Sequence, residues 1–193
     1  MKKFNYSIIL LFVVFVSKAQ DQNEYGFNKG DIFVSAALNY EESNKLSLLN
    51  PEVGYFATSN IAVGINSAFL LPIGDNFENI DSFEISAFGR YYFRPEKRFN
   101  PFAEVSLGYF KRTFELPETS SIDSQSDLFK ANVAIGANYF LTKRLSIFAK
   151  IDVLDYINGT SESFFTTPER TSGSEFQFLP IDTGLYLGIQ FKF

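Results

Sequence analysis

The chain has 193 residues, of which 46% are hydrophobic and 18% aromatic, with 24 Phe and 10 Tyr but no Trp. This length is enough for one domain with a sizeable core, and the high Phe and Tyr content favours strands over helices. The absence of Cys excludes disulfides and thiolate metal sites. The absence of His removes the commonest general base and metal ligand, and the net charge of −5 gives no footprint for nucleic acid.

The N-terminal segment has the pattern of a secretory signal peptide. Two lysines near the start precede the apolar core Ser7–Val16, and Ser17–Ala19 fits a small-x-small cleavage motif. The apolar core is shorter than the roughly 20 residues that a membrane-spanning helix needs. We therefore expect residues 1–19 to be removed and residues 20–193 to form one exported domain; an uncleaved anchor is the alternative.

The rest of the chain alternates apolar and polar residues, which is the period of β-strands. Three aromatic pairs are each followed by a short polar turn and a new alternating segment, as in "NYFLTKRLSIFAKI". Such segments predict tight hairpins. The predicted strands, in chain order, are Asp31–Tyr40, Leu46–Phe56, Ile61–Pro72, Phe83–Phe93, Pro101–Lys111, Leu128–Phe140, Leu145–Tyr156 and Glu175–Phe193.

Longer polar segments lie between the hairpins and predict loops. They are Glu41–Lys45, Gly74–Ser82, Lys111–Ser126 and Asp155–Ser174. The short turns fall at one rim of the predicted sheet and the long loops at the other. Most of the predicted strands have the roughly nine to eleven residues that a tilted strand needs to cross a bilayer, whereas soluble strands average about five or six. The pattern predicts an all-β fold, an eight-stranded antiparallel up-and-down transmembrane β-barrel.

The two faces of the predicted strands differ in chemistry. One parity is apolar, as in Leu185, Leu187 and Ile189, and the other carries the mid-strand charges together with Gly, Ala and Ser. In a membrane barrel the apolar parity meets lipid and the polar parity faces the lumen. Aromatic residues beside the short turns indicate an interfacial belt. Eight strands leave a lumen just wide enough for side chains to fill.

The C-terminal segment carries a resemblance to a known family. "GIQFKF" resembles the C-terminal assembly signal of Gram-negative outer-membrane barrels, with Gly188, Phe191 and Phe193 at the matching positions. The aromatic-turn hairpins resemble those of small OmpA- and OmpX-like barrels, the outer membrane protein β-barrel domain family. This resemblance implies a multi-pass barrel in the cell outer membrane. It implies outer-membrane lipid and, during insertion, the barrel-assembly machinery as partners, and no peptidoglycan-tethering domain is expected.

Charged residues on the lumen parity are the candidate functional residues. They are Glu84, Arg90, Glu104, Lys150, Asp152 and Lys192. Because buried charges must be paired, we expect them to form an ion-pair network that fills the lumen. A narrow ion path lined by carboxylates is the alternative. Glu52 shares their parity, but the neighbouring Pro51 makes the register of the second strand uncertain, so Glu52 is the weakest member of the charged parity.

The sequence does not predict an enzyme. Enzymatic outer-membrane barrels resemble one another in having a His at the active site, and this chain has none. No catalytic or cofactor site is assigned. The acidic segment Gly74–Asp81 has oxygen ligands of the kind that Ca²⁺ prefers but lacks the EF-hand spacing, so no metal site is assigned either. We expect a structural or surface-interaction role through the extracellular loops, toward an unidentified surface ligand and not toward nucleic acid. The alternatives are a narrow porin-like channel for ions or small solutes and a soluble, secreted, lipocalin-like ligand-binding barrel.

Overall fold

A computed structural model describes residues 25–41, 46–71, 80–114, 124–164, 168–178 and 185–193. The predicted signal peptide lies outside these residues. In the described part of the chain, no helix is long and apolar enough to cross a membrane. The same part contains the strands β1 (Ile32–Glu41), β2 (Leu46–Phe56), β3 (Ile61–Leu71), β4 (Ile80–Tyr92), β5 (Phe99–Phe114), β6 (Ser124–Phe140), β7 (Leu145–Phe164), β8 (Pro168–Phe178) and β9 (Leu185–Lys192).

Eight of these strands close into an antiparallel barrel. Strands β1 to β7 pair in chain order, and β9 pairs with β7 on one side and with β1 on the other. In the closing seam Ala36 lies opposite Ile189. Strand β8 pairs with the second half of β7, from Leu154 to Phe164, beyond the segment that pairs with β9. The predicted eight-stranded up-and-down barrel is therefore confirmed.

Predicted loops at the long-loop rim are shorter than expected. The predicted loop Lys111–Ser126 is strand at both ends, because β5 runs to Phe114 and β6 begins at Ser124, and residues 115–123 lie outside the described residues. The predicted loop Gly74–Ser82 overlaps β4, which begins at Ile80. The predicted loop Asp155–Ser174 is the hairpin of β7 and β8. Backbone pairing continues here although the sequence is polar, because beyond a bilayer both faces of a sheet can meet water and the apolar alternation is no longer needed.

The predicted last strand, Glu175–Phe193, corresponds to two strands in the structure. Strand β8 ends at Phe178 and β9 begins at Leu185. Both pair with β7, one with its second half and the other with its first. Residues 179–184, which connect them, lie outside the described residues.

The side chains have the inverted arrangement of a membrane barrel. Leu187 is 56% exposed on the outer wall, whereas Glu104 is 1% exposed inside the barrel. Exposed Ile, Val, Leu, Phe and Tyr side chains occur on every strand of the cylinder. A soluble barrel would expose its charges and bury these groups, so the outer wall is suited to acyl chains. This arrangement disagrees with the lipocalin-like alternative.

Candidate functional site

The candidate site is the barrel lumen, which is filled from the short-turn end upward. The first layer is aromatic and is made of buried side chains from five strands and the N-terminal segment. Phe27, which precedes β1, lies beneath the barrel, and its ring centroid is 4.3 Å from Phe56, 4.7 Å from Tyr92 and 5.0 Å from Phe140. This aromatic layer is Phe27, Phe33, Phe56, Phe88, Tyr92, Phe102 and Phe140.

Hydrogen bonds hold the N-terminal segment in this position. The Phe27 N–H donates to the Pro95 carbonyl at 2.8 Å, and the Gly30 N–H donates to the Phe56 carbonyl at 2.9 Å. Lys192, near the end of β9, donates to the Gly26 carbonyl and lies 3.3 Å from the Asp31 carboxylate. The two ends of the barrel chain are therefore joined directly at the short-turn end.

Four charged side chains form the next layer, which we call the central ion cluster: Glu52, Arg90, Glu104 and Lys150. The Arg90 Nε donates to Glu104 at 2.6 Å, and its Nη2 lies 3.0 Å from Glu52. The Lys150 Nζ lies 2.9 Å from Glu104 and 3.6 Å from Glu52. Two cations thus face two carboxylates, so the charges of this cluster balance.

Neutral groups complete the surroundings of the central ion cluster. The Ser35 hydroxyl donates to Glu52 at 2.8 Å, and the Arg90 Nη1 donates to the Tyr92 hydroxyl at 3.2 Å. The Arg90 guanidinium carbon lies 4.5 Å from the Phe102 ring centroid and 5.0 Å from that of Phe88. These cation–π contacts stabilise a guanidinium that is removed from water and join the ion cluster to the aromatic layer below it.

A second group of charges, the upper ion cluster, lies closer to the long-loop end. Its members are Lys130, Asp152 and Asp155. The Lys130 Nζ is 3.2 Å from Asp155 and 3.8 Å from Asp152. Asn132 donates to Asp155, and the Tyr186 hydroxyl donates to Asp152 at 3.4 Å. This cluster has two carboxylates for one cation, so the upper lumen is more acidic than the central one.

A β-bulge explains why both aspartates face the lumen. Ala134 pairs with Asp152 but the adjacent Val133 pairs with Leu154, which leaves Val153 as an extra residue in β7. An extra residue reverses the side-chain parity beyond it. Asp155 therefore faces inward although strict alternation from Asp152 would turn it outward, and this is why the sequence pattern did not identify it.

The predicted charge set is divided among separate groups. Arg90, Glu104 and Lys150 meet in the central ion cluster, whereas Asp152 belongs to the upper one. Lys192 pairs with Asp31 at the short-turn end. Glu84 accepts a hydrogen bond from Ser86 at 3.1 Å.

Sequence reasoning missed three of the charged residues in these groups. Glu52, which the sequence placed on the lumen parity with an uncertain register, lies in the central ion cluster. Lys130 shares the parity of Ala134 in β6 and was identifiable by extending that alternation four residues further. Asp31 was identifiable in the same way, two residues before the inward-facing Phe33. Asp155 had no such signal because of the bulge.

The C-terminal residues lie where the barrel closes. Gly188 is opposite Ala37 of β1 and Phe148 of β7. Phe191 and Phe193 contact each other edge to face, with ring centroids 5.1 Å apart, and the Phe193 N–H donates to the Ile32 carbonyl at 2.8 Å. The terminal residue is thus fixed to the start of β1.

The lumen combines paired charges with aromatic packing. The cations and carboxylates of the central ion cluster balance at contact distance, the upper ion cluster has an excess carboxylate, and aromatic rings cover the short-turn side. Among the described residues, no group of three or more His, Cys, Asp or Glu side chains is arranged to hold a metal ion.

Comparisons with known proteins agree on the architecture. No family model matches the chain, and no curated protein matches it. Among solved structures, the N-terminal β-barrel domain of OprF from Pseudomonas aeruginosa is similar with a TM-score of 0.58 at 16% identity, covering 86% of this chain and 98% of that one. The outer membrane protein OprG from the same organism is similar with a TM-score of 0.56 at 14% identity, covering 87% and 98%. A major outer membrane protein from Thermus thermophilus is similar with a TM-score of 0.52 at 13% identity, covering 86% and 100%.

Proposed function

We propose that this chain, which is an eight-stranded barrel of the outer-membrane type, acts as a closed membrane barrel that presents a surface at its long-loop end. In this role the cylinder anchors the chain in the outer membrane and stabilises that membrane. The parts of the strands that extend beyond the bilayer make contacts with other molecules. The observation that carries the proposal is the central ion cluster above the aromatic layer, because together they fill the lumen with paired charges and rings.

The extension of the sheet beyond the cylinder supports a surface role. Strands β5, β6 and β7 have 16, 17 and 20 residues, and a tilted strand needs only about nine to eleven to cross a bilayer. In β8, Phe176 is 71% exposed and Phe178 is 74% exposed. These two side chains lie at the base of the hairpin, opposite Leu154 and Tyr156 of β7, and neighbouring exposed apolar side chains of this kind mark contacts with proteins or membranes.

The lumen chemistry supports a non-enzymatic role. Nucleophilic and acid–base catalysis require a group that is free to react with a substrate. The carboxylates of the central ion cluster instead accept hydrogen bonds from Arg90, Lys150 and Ser35.

Flotation and conductance test the two parts of this proposal. The refolded chain, mixed with phosphatidylcholine vesicles, is expected to float with them in a density gradient, and recovery in the soluble fraction would contradict a membrane role. In a planar bilayer the same preparation is expected to give no channels under conditions in which a porin control conducts. Reproducible conductance steps would contradict a closed lumen.

A narrow ion path is the second candidate function, and one observation favours it. On the side of the lumen formed by β5, β6, β7 and β9, several buried polar atoms have no hydrogen-bond partner among the described residues. They are Asn100 Oδ1, Asn138 Oδ1, Ser146 Oγ and Gln190 Nε2. Buried polar groups that lack protein partners are usually hydrated. The conductance experiment separates this candidate from the closed barrel.

A further inference from the structure

The outer wall of the barrel contains an apolar groove. A depression of about 730 Å³ extends from β5 across β6, β7, β9 and β1 to β2, with the small side chains of Ala36, Ala137 and Ala149 between the larger Tyr139, Leu187 and Ile189. This volume is within the roughly 300–1,000 Å³ of small-molecule sites. A second depression of about 430 Å³ on β5, β6, β7 and β9 shares Ala137 and Ala149 with the first. The two depressions adjoin at these alanines; we call them together the wall groove and each of them a branch of it.

A cation lies at the short-turn end of the wall groove. The Arg98 guanidinium carbon is 4.9 Å from the ring centroid of Tyr139, which lines the groove. The Arg98 Nε donates to the Phe140 carbonyl at 2.7 Å, and the Phe140 N–H donates to the Arg98 carbonyl at 2.9 Å. These bonds fix the exposed Arg98 beside the next turn, residues 141–144.

The surrounding turns are basic although the whole chain is acidic. Residues 93–98 and 141–144 carry five cationic side chains and one carboxylate, whereas the net charge of the chain is −5. The cations are Arg94, Lys97, Arg98, Lys143 and Arg144, and the carboxylate is Glu96. In outer-membrane barrels the short turns face the periplasm, so this positive charge lies at the headgroups of one leaflet.

We propose that the wall groove binds an anionic glycerophospholipid, with its two acyl chains in the two branches and its phosphate at Arg98. The inference rests on the membrane placement proposed above. An apolar hollow on a wall that meets acyl chains, with a guanidinium at its headgroup end, is complementary to a lipid that has both a negative phosphate and two tails. Basic residues at the bilayer surface attract anionic lipids, and Arg binds phosphate in a bidentate geometry.

Lipid competition measured by native mass spectrometry tests the proposal. The refolded chain is equilibrated in mixed micelles with equal amounts of phosphatidylglycerol and phosphatidylethanolamine, and the lipids retained by the protein are identified. We expect each protein molecule to retain one lipid, and we expect that lipid to be phosphatidylglycerol more often than phosphatidylethanolamine. The preference is expected to fall about fivefold in Arg98→Gln and to remain in Arg98→Lys. Retention of both lipids is expected to fall in Ala149→Phe, whose ring fills the point where the branches meet.

Two matched controls separate the groove from general effects. Lys111→Gln removes a positive charge from β5 near the opposite rim, and Ala87→Phe adds a ring to the outer wall away from the groove; both are expected to retain the wild-type lipid preference. A wild-type chain with no preference, or an equal loss in Lys111→Gln, would overturn the proposal. A wild-type dimer that Ala149→Phe dissociates would show instead that a second copy occupies the groove, and would overturn it as well.

Flotation of each variant keeps the two proposals distinguishable. A chain that does not float with phosphatidylcholine vesicles contradicts the membrane role itself. A chain that floats but shows no preference for phosphatidylglycerol contradicts the lipid site alone. If Arg98→Gln does not refold, Ala149→Phe still tests the groove, and the charge is tested by adding salt, which is expected to reduce the wild-type preference for phosphatidylglycerol; a preference unchanged by salt would contradict the role of the charge.

Discussion

Glu104 accepts hydrogen bonds from two cations that reach it from different strands, Arg90 of β4 and Lys150 of β7. Because it lies between both cations, this buried carboxylate offsets part of the desolvation free energy of each. The net stability that a buried ion cluster provides is small, but the cost of removing one member is large, because the remaining charges are then uncompensated.

Replacing Glu104 with Gln is therefore expected to lower the free energy of unfolding by about 3 kcal/mol. The change keeps the shape of the side chain but leaves two cations facing Glu52 alone. The measurement is urea unfolding in vesicles, followed by the gel shift between folded and unfolded chain. Glu175→Gln removes an exposed carboxylate from β8 and should leave the transition unchanged. Equal stability of Glu104→Gln and the wild type would show that the central cluster does not support the fold.

Gly26 is required by its surroundings as well as by its backbone. It has φ +98°, and an added Cβ would lie 2.1 Å from the Pro95 carbonyl oxygen. Gly30 has φ +95° but nothing within 4 Å of an added Cβ. We expect Gly30→Ala to cost about 1 kcal/mol of backbone strain and Gly26→Ala to cost more, because Phe27 must also move. Unfolding midpoints of the two variants check this order, and equal midpoints would contradict it.

At the scale of elements, the strands with regular apolar–polar alternation were predicted best. Strands β1 to β4 end within three residues of their predicted bounds because each has one lipid face and one lumen face. Where both faces are polar, as in the second half of β7, alternation gave no signal and the segment was predicted as a loop. The site shows the same limit, since Lys130 follows the parity of its strand whereas Asp155 depends on a bulge.

The seam between β1 and β9 depends on a close approach at Gly188. A Cβ there would lie 2.4 Å from the Phe148 ring and 2.7 Å from the Ala36 carbonyl oxygen. We expect Gly188→Ala to reduce the yield of folded barrel in vesicles, because the ring and the seam cannot both keep their positions. Gly89→Ala, where an added Cβ meets nothing within 4 Å, is the matched control. A normal yield for Gly188→Ala would show that the seam adapts.

At the scale of the whole molecule, the apolar side chains of the outer wall indicate that lipid, and not water, surrounds the barrel. Leu107, midway along β5, is 55% exposed. Leu107→Arg is expected to destabilise the barrel in vesicles by about 2–4 kcal/mol, the cost of a cation near the middle of a bilayer. Vesicle-folding titrations with urea measure it. Leu107→Ile keeps the apolar character and should change little, whereas a tolerated arginine would indicate an aqueous outer surface.

The contact between Lys192 and the Gly26 carbonyl couples closure of the cylinder to the seating of its entrance segment. Lys192 also pairs with Asp31, so β9 holds the first described residues by two side-chain contacts. Without β9 these residues would keep only their bonds to Pro95 and Phe56 and the packing of Phe27. An open sheet would therefore carry a more loosely held plug than a closed one.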